Sequence, residues 1–183
     1  LVRPTHILIT EVSEAHSAYL GTIEEVEREF LSVLPFLVQD GVLIVNADTP
    51  LLAKLKVLPT QTKISVRLHA RADYFASNIR LEIEGTSAII HHANRTQKVI
   101  IKRWGVHQVY AVLFMAAVGD CLGLNPRIQL QTFKSLRPSA GRGSLLEGKN
   151  GSLILDESYN AQPAAMRAAL EMLKDFPARK KIA

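Results

Sequence analysis

Eleven residues, Leu153-Ile154-Leu155-Asp156-Glu157-Ser158-Tyr159-Asn160-Ala161-Gln162-Pro163, constrain this chain more than any other stretch. The first three are apolar and read as a buried strand, with two carboxylates at its end. A polar turn follows. Pro163 and Ala164-Ala165-Met166-Arg167-Ala168-Ala169-Leu170 then open a helix in good helix formers. Strand, polar switch and helix in this order predict an α/β fold, in which ligands gather at the carboxyl ends of the strands.

The remaining chain is compatible with that prediction. His6 to Thr10 make a short apolar strand after Pro4. Thr22 and Glu25 form a capping box, and Ile23, Val26, Phe30, Val33 and Leu34 recur on one helical face until Pro35. Val42 to Val45 predict another strand, Asn46 to Pro50 a polar turn, and Leu51 to Leu58 a short helix. From Lys63 to Lys102 the texture becomes antiparallel β: Tyr74 to Ile83 alternate, Gly85 turns, Ser87 to His91 return, and Val99 to Ile101 follow. His91 and His92 are adjacent, so on a strand they face opposite sides and read as hairpin surface. Gly105-Val106-His107-Gln108 opens a largely apolar helix to about Leu122, which Gly123 and Pro126 stop. A further helix runs from Ile128 to about Leu136, and Arg137 to Gly143 form a glycine-rich linker. Trp104 reads as a packing anchor.

Composition removes several functions. A single cysteine, Cys121, excludes a disulfide within the chain and a cysteine-built zinc site, and reads as a small buried hydrophobe. The net charge of +5 comes without a basic block or interleaved aromatics, apart from Arg179-Lys180-Lys181, so no nucleic-acid partner is expected. No apolar run spans a bilayer and no signal peptide is present, which points to the cytoplasm; a monomer is expected. The chain opens at Leu1 and closes at Lys181-Ile182-Ala183, and reads as a piece of a longer protein.

The turn D-E-S-Y-N-A-Q-P resembles the D-[DE]-S-Y-N-A-N-P signature that opens the C-terminal domain of Mur ligases of the MurF type, with Gln162 in place of Asn. Other segments agree. Pro4, Thr10, Ala15 and His16 match a family strand and the loop ending in Ala-His, although Glu11 stands where Asn is usual. Asn46-Ala47-Asp48-Thr49-Pro50 is similar to the family's LNADDP. Residues 72–90, ADYFASNIRLEIEGTSAII, resemble a segment that favours the MurF type. Gly105 and His107 fit G-x-H-N-x-x-N, with Gln108 and Ala111 replacing the asparagines. Residues 138–142 resemble the P-x-x-G-R hinge between domains.

The resemblance implies an α/β fold. Residues 1–137 would be the second half of a central ATPase domain, mostly parallel sheet with helices plus a small antiparallel section. Residues 138–183 would be the hinge and the first β-α unit of a Rossmann-like C-terminal domain. It implies an ATP-dependent amide ligase of peptidoglycan precursor synthesis, joining D-alanyl-D-alanine to UDP-N-acetylmuramoyl-tripeptide through an acyl phosphate. Another amino-acid ligase of the superfamily, or a paralogue that binds nucleotide or protein without catalysis, is the alternative.

It also implies roles for residues. Arg142 would reach the ATP phosphates, a task that suits a permanently charged fork of donors. His107, Gln108, Asp156, Glu157 and Asn160 would contact the nucleotide, with helix capping as the simpler role of the two carboxylates; adjacent on an extended segment, these two are expected to point to opposite sides, so that only one faces the site. His16 would ligate Mg2+. The family's carbamylated lysine falls on Phe30, and no lysine occurs before Lys54. Glu27, one turn back, is expected to supply the missing carboxylate; the alternative is loss of the second metal site. No G-x-x-x-x-G-K-[ST] phosphate loop occurs. In the resembled family that loop lies upstream, so these residues alone are expected to hydrolyse no ATP.

Overall fold

The computed structural model describes residues 2–13, 21–68, 70–92, 95–135, 137 and 139–183. It divides into two compact units, Leu1–Phe75 and Ala76–Ala183.

The first unit is built on parallel strands. β1 (His6–Ile9) pairs with β2 (Val42–Asn46), which pairs with β3 (Thr62–Arg67); the end of β3 runs parallel to the first residues of β4 (Tyr74–Glu82). The expectation of antiparallel texture from Lys63 is corrected here. The alternation of Thr62–Arg67 suits an exposed hairpin, but β2 aligns it in parallel from Val42↔Thr62 to Asn46↔Val66. Central β2 is sealed on both faces: Leu43, Ile44 and Val45 are 0% exposed, as expected for a parallel strand. Leu43 and Val45 share a core with Ile7, Ile9, Val26, Leu37 and Leu52.

Among the described residues two helices close this core. In α1 (Ile23–Leu31) the capping box forms: Glu25 Oε2 accepts from Thr22 N–H at 2.7 Å, and Thr22 Oγ1 accepts from Glu25 N–H at 3.4 Å. The helix ends at Leu31, before Pro35, because Ser32 caps it and donates its hydroxyl to the Glu29 carbonyl at 2.7 Å. Val33 and Leu34 therefore do not continue the helical stripe, and Phe30 lies outside the core at 43% exposed. α2 (Pro50–Lys54) is shorter than the expected 51–58. Lys63 Nζ donates to the carbonyls of Ala53 and Leu55 at 2.6 and 2.7 Å, satisfying helix-end acceptors that another turn would have used. Burial of that ammonium presses its pKa down, against the opposing pull of Asp73.

The second unit carries the antiparallel hairpin. β5 (Gly85–His92) pairs with β6 (Arg95–Ile101), from Thr86↔Ile101 to His92↔Arg95. α3 (Gln108–Cys121) packs on β5 and buries Val109, Val112, Leu113, Phe114, Ala116 and Ala117. It ends in a Schellman motif. Gly123, at φ 67°, donates to the Asp120 carbonyl at 3.0 Å and Leu124 to the Gly119 carbonyl at 2.8 Å. α4 (Pro126–Ser135) packs against α3 and β6. His91 and His92 do face opposite ways, but neither is bare hairpin surface. His91 Nε2 pairs with Ser77 Oγ at 2.7 Å, and His92 Nδ1 with Asp120 Oδ2 at 2.9 Å. Cys121 is half-buried, and burial, then Asp120, raises its thiol pKa.

A two-stranded antiparallel hairpin follows, β7 (Ser144–Glu147) and β8 (Leu153–Asp156). Sequence reasoning missed β7 and took Leu153–Leu155 for a buried strand. Leu153 and Ile154 are 46% and 50% exposed. α5 (Pro163–Asp175) buries Met172, which with Phe176 packs on Trp104, the expected anchor. The Trp104 indole donates to the Ile83 carbonyl at 3.1 Å. Among the described residues no helix is long and apolar enough to cross a membrane.

Candidate functional site

Three segments far apart in sequence meet in the second unit: the exit of β6 into α3, the glycine linker, and the turn after β8. Asp156 organises the turn. Its Oδ1 accepts from Ser158 N–H at 3.1 Å, its Oδ2 from Gly141 N–H at 3.1 Å, and its carbonyl from Gly143 N–H at 2.9 Å. Hydrogen bonds from Ser158, then from Gly141 and Ser144, hold its carboxyl below the usual carboxylate range.

Glycine is required in the linker. Gly141 and Gly143 have φ of 71° and 74°, where side chains strain the backbone. A Cβ on Gly141 would lie 3.0 Å from the Tyr159 nitrogen, and one on Gly143 3.0 Å from Glu157 Oε1 and 3.8 Å from Gln108 Nε2. The absent side chains let the linker pass against the turn. Between them Arg142 is exposed, its guanidinium 3.7 Å over the Tyr159 ring. Stacking covers the flat face and leaves the edge donors to outside acceptors.

Glu157 points the other way from Asp156, toward the start of α3. Burial, then the neighbouring Asp156, raises its pKa, while Arg103, Arg142 and the Gly143 N–H pull it back. Gln108 Oε1 accepts from Arg103 Nη1 at 3.1 Å, which leaves its NH2 to face His107 Nε2 at 2.8 Å. His107 is thus an acceptor at Nε2. Burial, then Arg103, lowers its pKa and favours neutral imidazole. Asn160 Oδ1 accepts from the Ala161 N–H at 2.8 Å. Neither carboxylate caps α5, whose N-cap, Gln162, makes no side-chain cap bond.

Of the expected site residues, the structure brings together His107, Gln108, Arg142, Asp156 and Glu157. Arg103 was missed by the sequence reading; a cation just before Trp-Gly-x-His-Gln was its one local signal. His16 lies outside the described residues. Glu27 is half-buried on α1 in the first unit. Among the described residues no group of three or more His, Cys, Asp or Glu could hold a metal ion. Glu11 is engaged: Asn46 Nδ2 donates to its Oε2 at 3.3 Å and Thr49 Oγ1 to its Oε1 at 3.1 Å.

The model of the Mur ligase middle domain matches residues 1–119. The chain is 28% identical over 176 residues to the UDP-N-acetylmuramoyl-tripeptide--D-alanyl-D-alanine ligase of Bacillus subtilis, covering 96% of this chain and 37% of that protein. It is 28% identical over 180 residues to the UDP-N-acetylmuramate--L-alanine ligase of a Geobacter species, covering 95% and 38%. A MurF ligase from Thermotoga maritima, solved in complex with ADP, superposes with a TM-score of 0.84 at 23% identity, over 96% of this chain and 40% of that one. The chain therefore spans about two fifths of the relatives it matches.

Proposed function

This chain belongs to the family of the Mur ligase middle domain, and from that premise we propose that it is part of an ATP-dependent amide ligase joining D-alanyl-D-alanine to UDP-N-acetylmuramoyl-tripeptide. The observation that carries the reading is the meeting of His107-Gln108, Gly141-Arg142-Gly143 and Asp156-Glu157 in one place. ATP and peptidoglycan precursors as substrates, and the cytoplasm as compartment, follow from the same reading. So does the division near residue 137 between a central and a C-terminal domain.

The substrate carboxylate takes the γ-phosphoryl group of ATP, giving an acyl phosphate and ADP. The dipeptide amine then attacks the acyl carbon, and phosphate leaves as the amide forms. The protein must spread the phosphoryl charge over fixed donors and hold the reactants in line. Arg142 supplies the exposed fork for phosphate oxygens. Gln108 and Glu157 offer a donor and an acceptor to the nucleotide, with His107 as a neutral neighbour and Asn160 at the turn's outer side. Asp156 keeps linker and turn in register. His16 and Glu27 are the residues assigned to Mg2+, whose chemistry when bound would be to neutralise phosphate charge.

The Geobacter relative, at the same identity, favours a second reading in which L-alanine is the amine. Both are tested by supplying the full-length parent protein with ATP, each acceptor and each amine, and weighing the product. The proposal expects D-alanyl-D-alanine to join the tripeptide acceptor. Coupling of L-alanine instead, or of neither amine, overturns it.

A further inference from the structure

We propose that Arg103 is a positioning residue of this site: it fixes the amide of Gln108 so that the NH2 group faces His107, Glu157 and the linker, an inference that rests on the nucleotide-site reading above. Arg103 is itself held in place before it acts. The Thr86 hydroxyl donates to its carbonyl at 2.8 Å, and Thr86 is buried on β5. The next residue, Trp104, is tied through its indole to the Ile83 carbonyl. The backbone is thus anchored at the Arg103 carbonyl and at the residue that follows it, the support a precise side-chain placement needs.

The guanidinium works in two directions. Nη1 donates to Gln108 Oε1 at 3.1 Å, and Nη2 to the Arg137 carbonyl at 3.4 Å, at the start of the glycine linker. One rigid fork therefore binds the first residue of α3 to the segment that carries Arg142. Fixing Oε1 decides which way the amide points, because a guanidinium donates and never accepts. With a free amide, Gln108 would turn its oxygen or its nitrogen to His107 with equal ease. The pinned form offers nitrogen alone, and the ring answers with an unprotonated Nε2.

Charge adds to geometry. Glu157 is half-buried beside Asp156, and Arg103 and Arg142 are the cations that favour its ionised form. The Arg103 Nε is buried without a hydrogen-bond partner among the described residues. A guanidinium kept at that cost is explained by what it does to its neighbours. The same carboxylate and amide stand 3.0 and 3.8 Å from where a Gly143 side chain would begin. Arg103, Gln108 and Glu157 are therefore one linked unit.

The test uses NMR on the whole chain, following the histidine ring nitrogens and glutamine side-chain amides of unmodified protein, Arg103→Lys and Arg103→Met. Unmodified protein is expected to show His107 protonated at Nδ1 and a fixed Gln108 amide. Arg103→Lys keeps the charge but lacks the fork, so the Gln108 amide should become mobile while the His107 titration stays low. Arg103→Met should also move that titration upward, since the repelling cation is gone. A Gln108 amide unchanged in folded Arg103→Lys overturns the proposal, as does His107 protonated at Nε2 in the unmodified chain. ADP added to the full-length protein addresses the parent reading separately: if it shifts neither Gln108 nor the Arg142 linker, the nucleotide assignment falls while the amide result still stands. In the full-length protein Arg103→Met should weaken ADP roughly threefold to tenfold, and this loss should vanish in a Gln108→Ala background. Equal losses in both backgrounds would overturn the link through Gln108.

Discussion

β2 and β8 are nearly the same sentence written twice. Each is a short apolar run, Val42-Leu43-Ile44-Val45 or Leu153-Ile154-Leu155, followed by a polar turn with carboxylate and asparagine, then a proline that starts a helix. In both turns the first carboxylate is spent on backbone: Asp48 Oδ2 accepts from Leu68 N–H at 2.7 Å, and Asp156 accepts from Gly141 and Ser158. Their surroundings differ completely. β2 lies between two parallel neighbours and is sealed, whereas among the described residues β8 has one antiparallel partner and half-exposed apolar side chains. A run of apolar residues thus records a preference for burial, and neighbours decide whether it is met.

The largest expected effect separates the two strands by stability. Leu43→Ala leaves a cavity in a closed core and should cost about 2–5 kcal/mol in urea unfolding. Ile154→Ala, half-exposed on β8, should cost about 0.5 kcal/mol or less. Equal losses would erase the distinction drawn here.

The turns should separate next. Asp48→Ala removes the acceptor for the Leu68 N–H and should cost about 1 kcal/mol in the same measurement. Asp156→Ala should instead speed amide exchange at Gly141 and Ser158, loosening the linker without unfolding the first unit. Exchange unchanged at both amides would mean Asp156 does not order the linker.

A smaller effect concerns His107. Its pKa is lowered in the fold by burial and by Arg103, so the folded state favours neutral imidazole. As pH falls toward and below the ordinary value of 6.5, the unfolded chain takes up the proton first, and stability declines. His107→Gln should flatten that decline in urea midpoints between neutral and mildly acidic pH. An unaltered slope would place the titration elsewhere.

These contrasts explain what was legible in the residues. The capping box of Thr22 and Glu25, the Gly123 stop and the Trp104 anchor depend on neighbours a few residues away or on size, and were readable. The short α2 was not, because Lys63 closes it from another strand. Arg103 escaped for the same reason: its partner Arg137 and the carboxylate of Glu157 are supplied by later segments. The motif residues Arg142 and Glu157 could be named from sequence, but their division of labour with Asp156 could not. Adjacency on an extended segment implied opposite directions for the two carboxylates, but not which one holds the linker and which faces Gln108.

The central claim, that the turn after β8 and its linker serve the proposed phosphoryl transfer while the turn after β2 serves only the fold, is tested most directly by Arg142→Ala in the full-length parent protein. Steady-state kinetics should show kcat reduced roughly a hundredfold or more, with the KM for D-alanyl-D-alanine little changed, as for loss of a donor acting in the transition state. A kcat within about twofold of the unmodified enzyme would contradict the account.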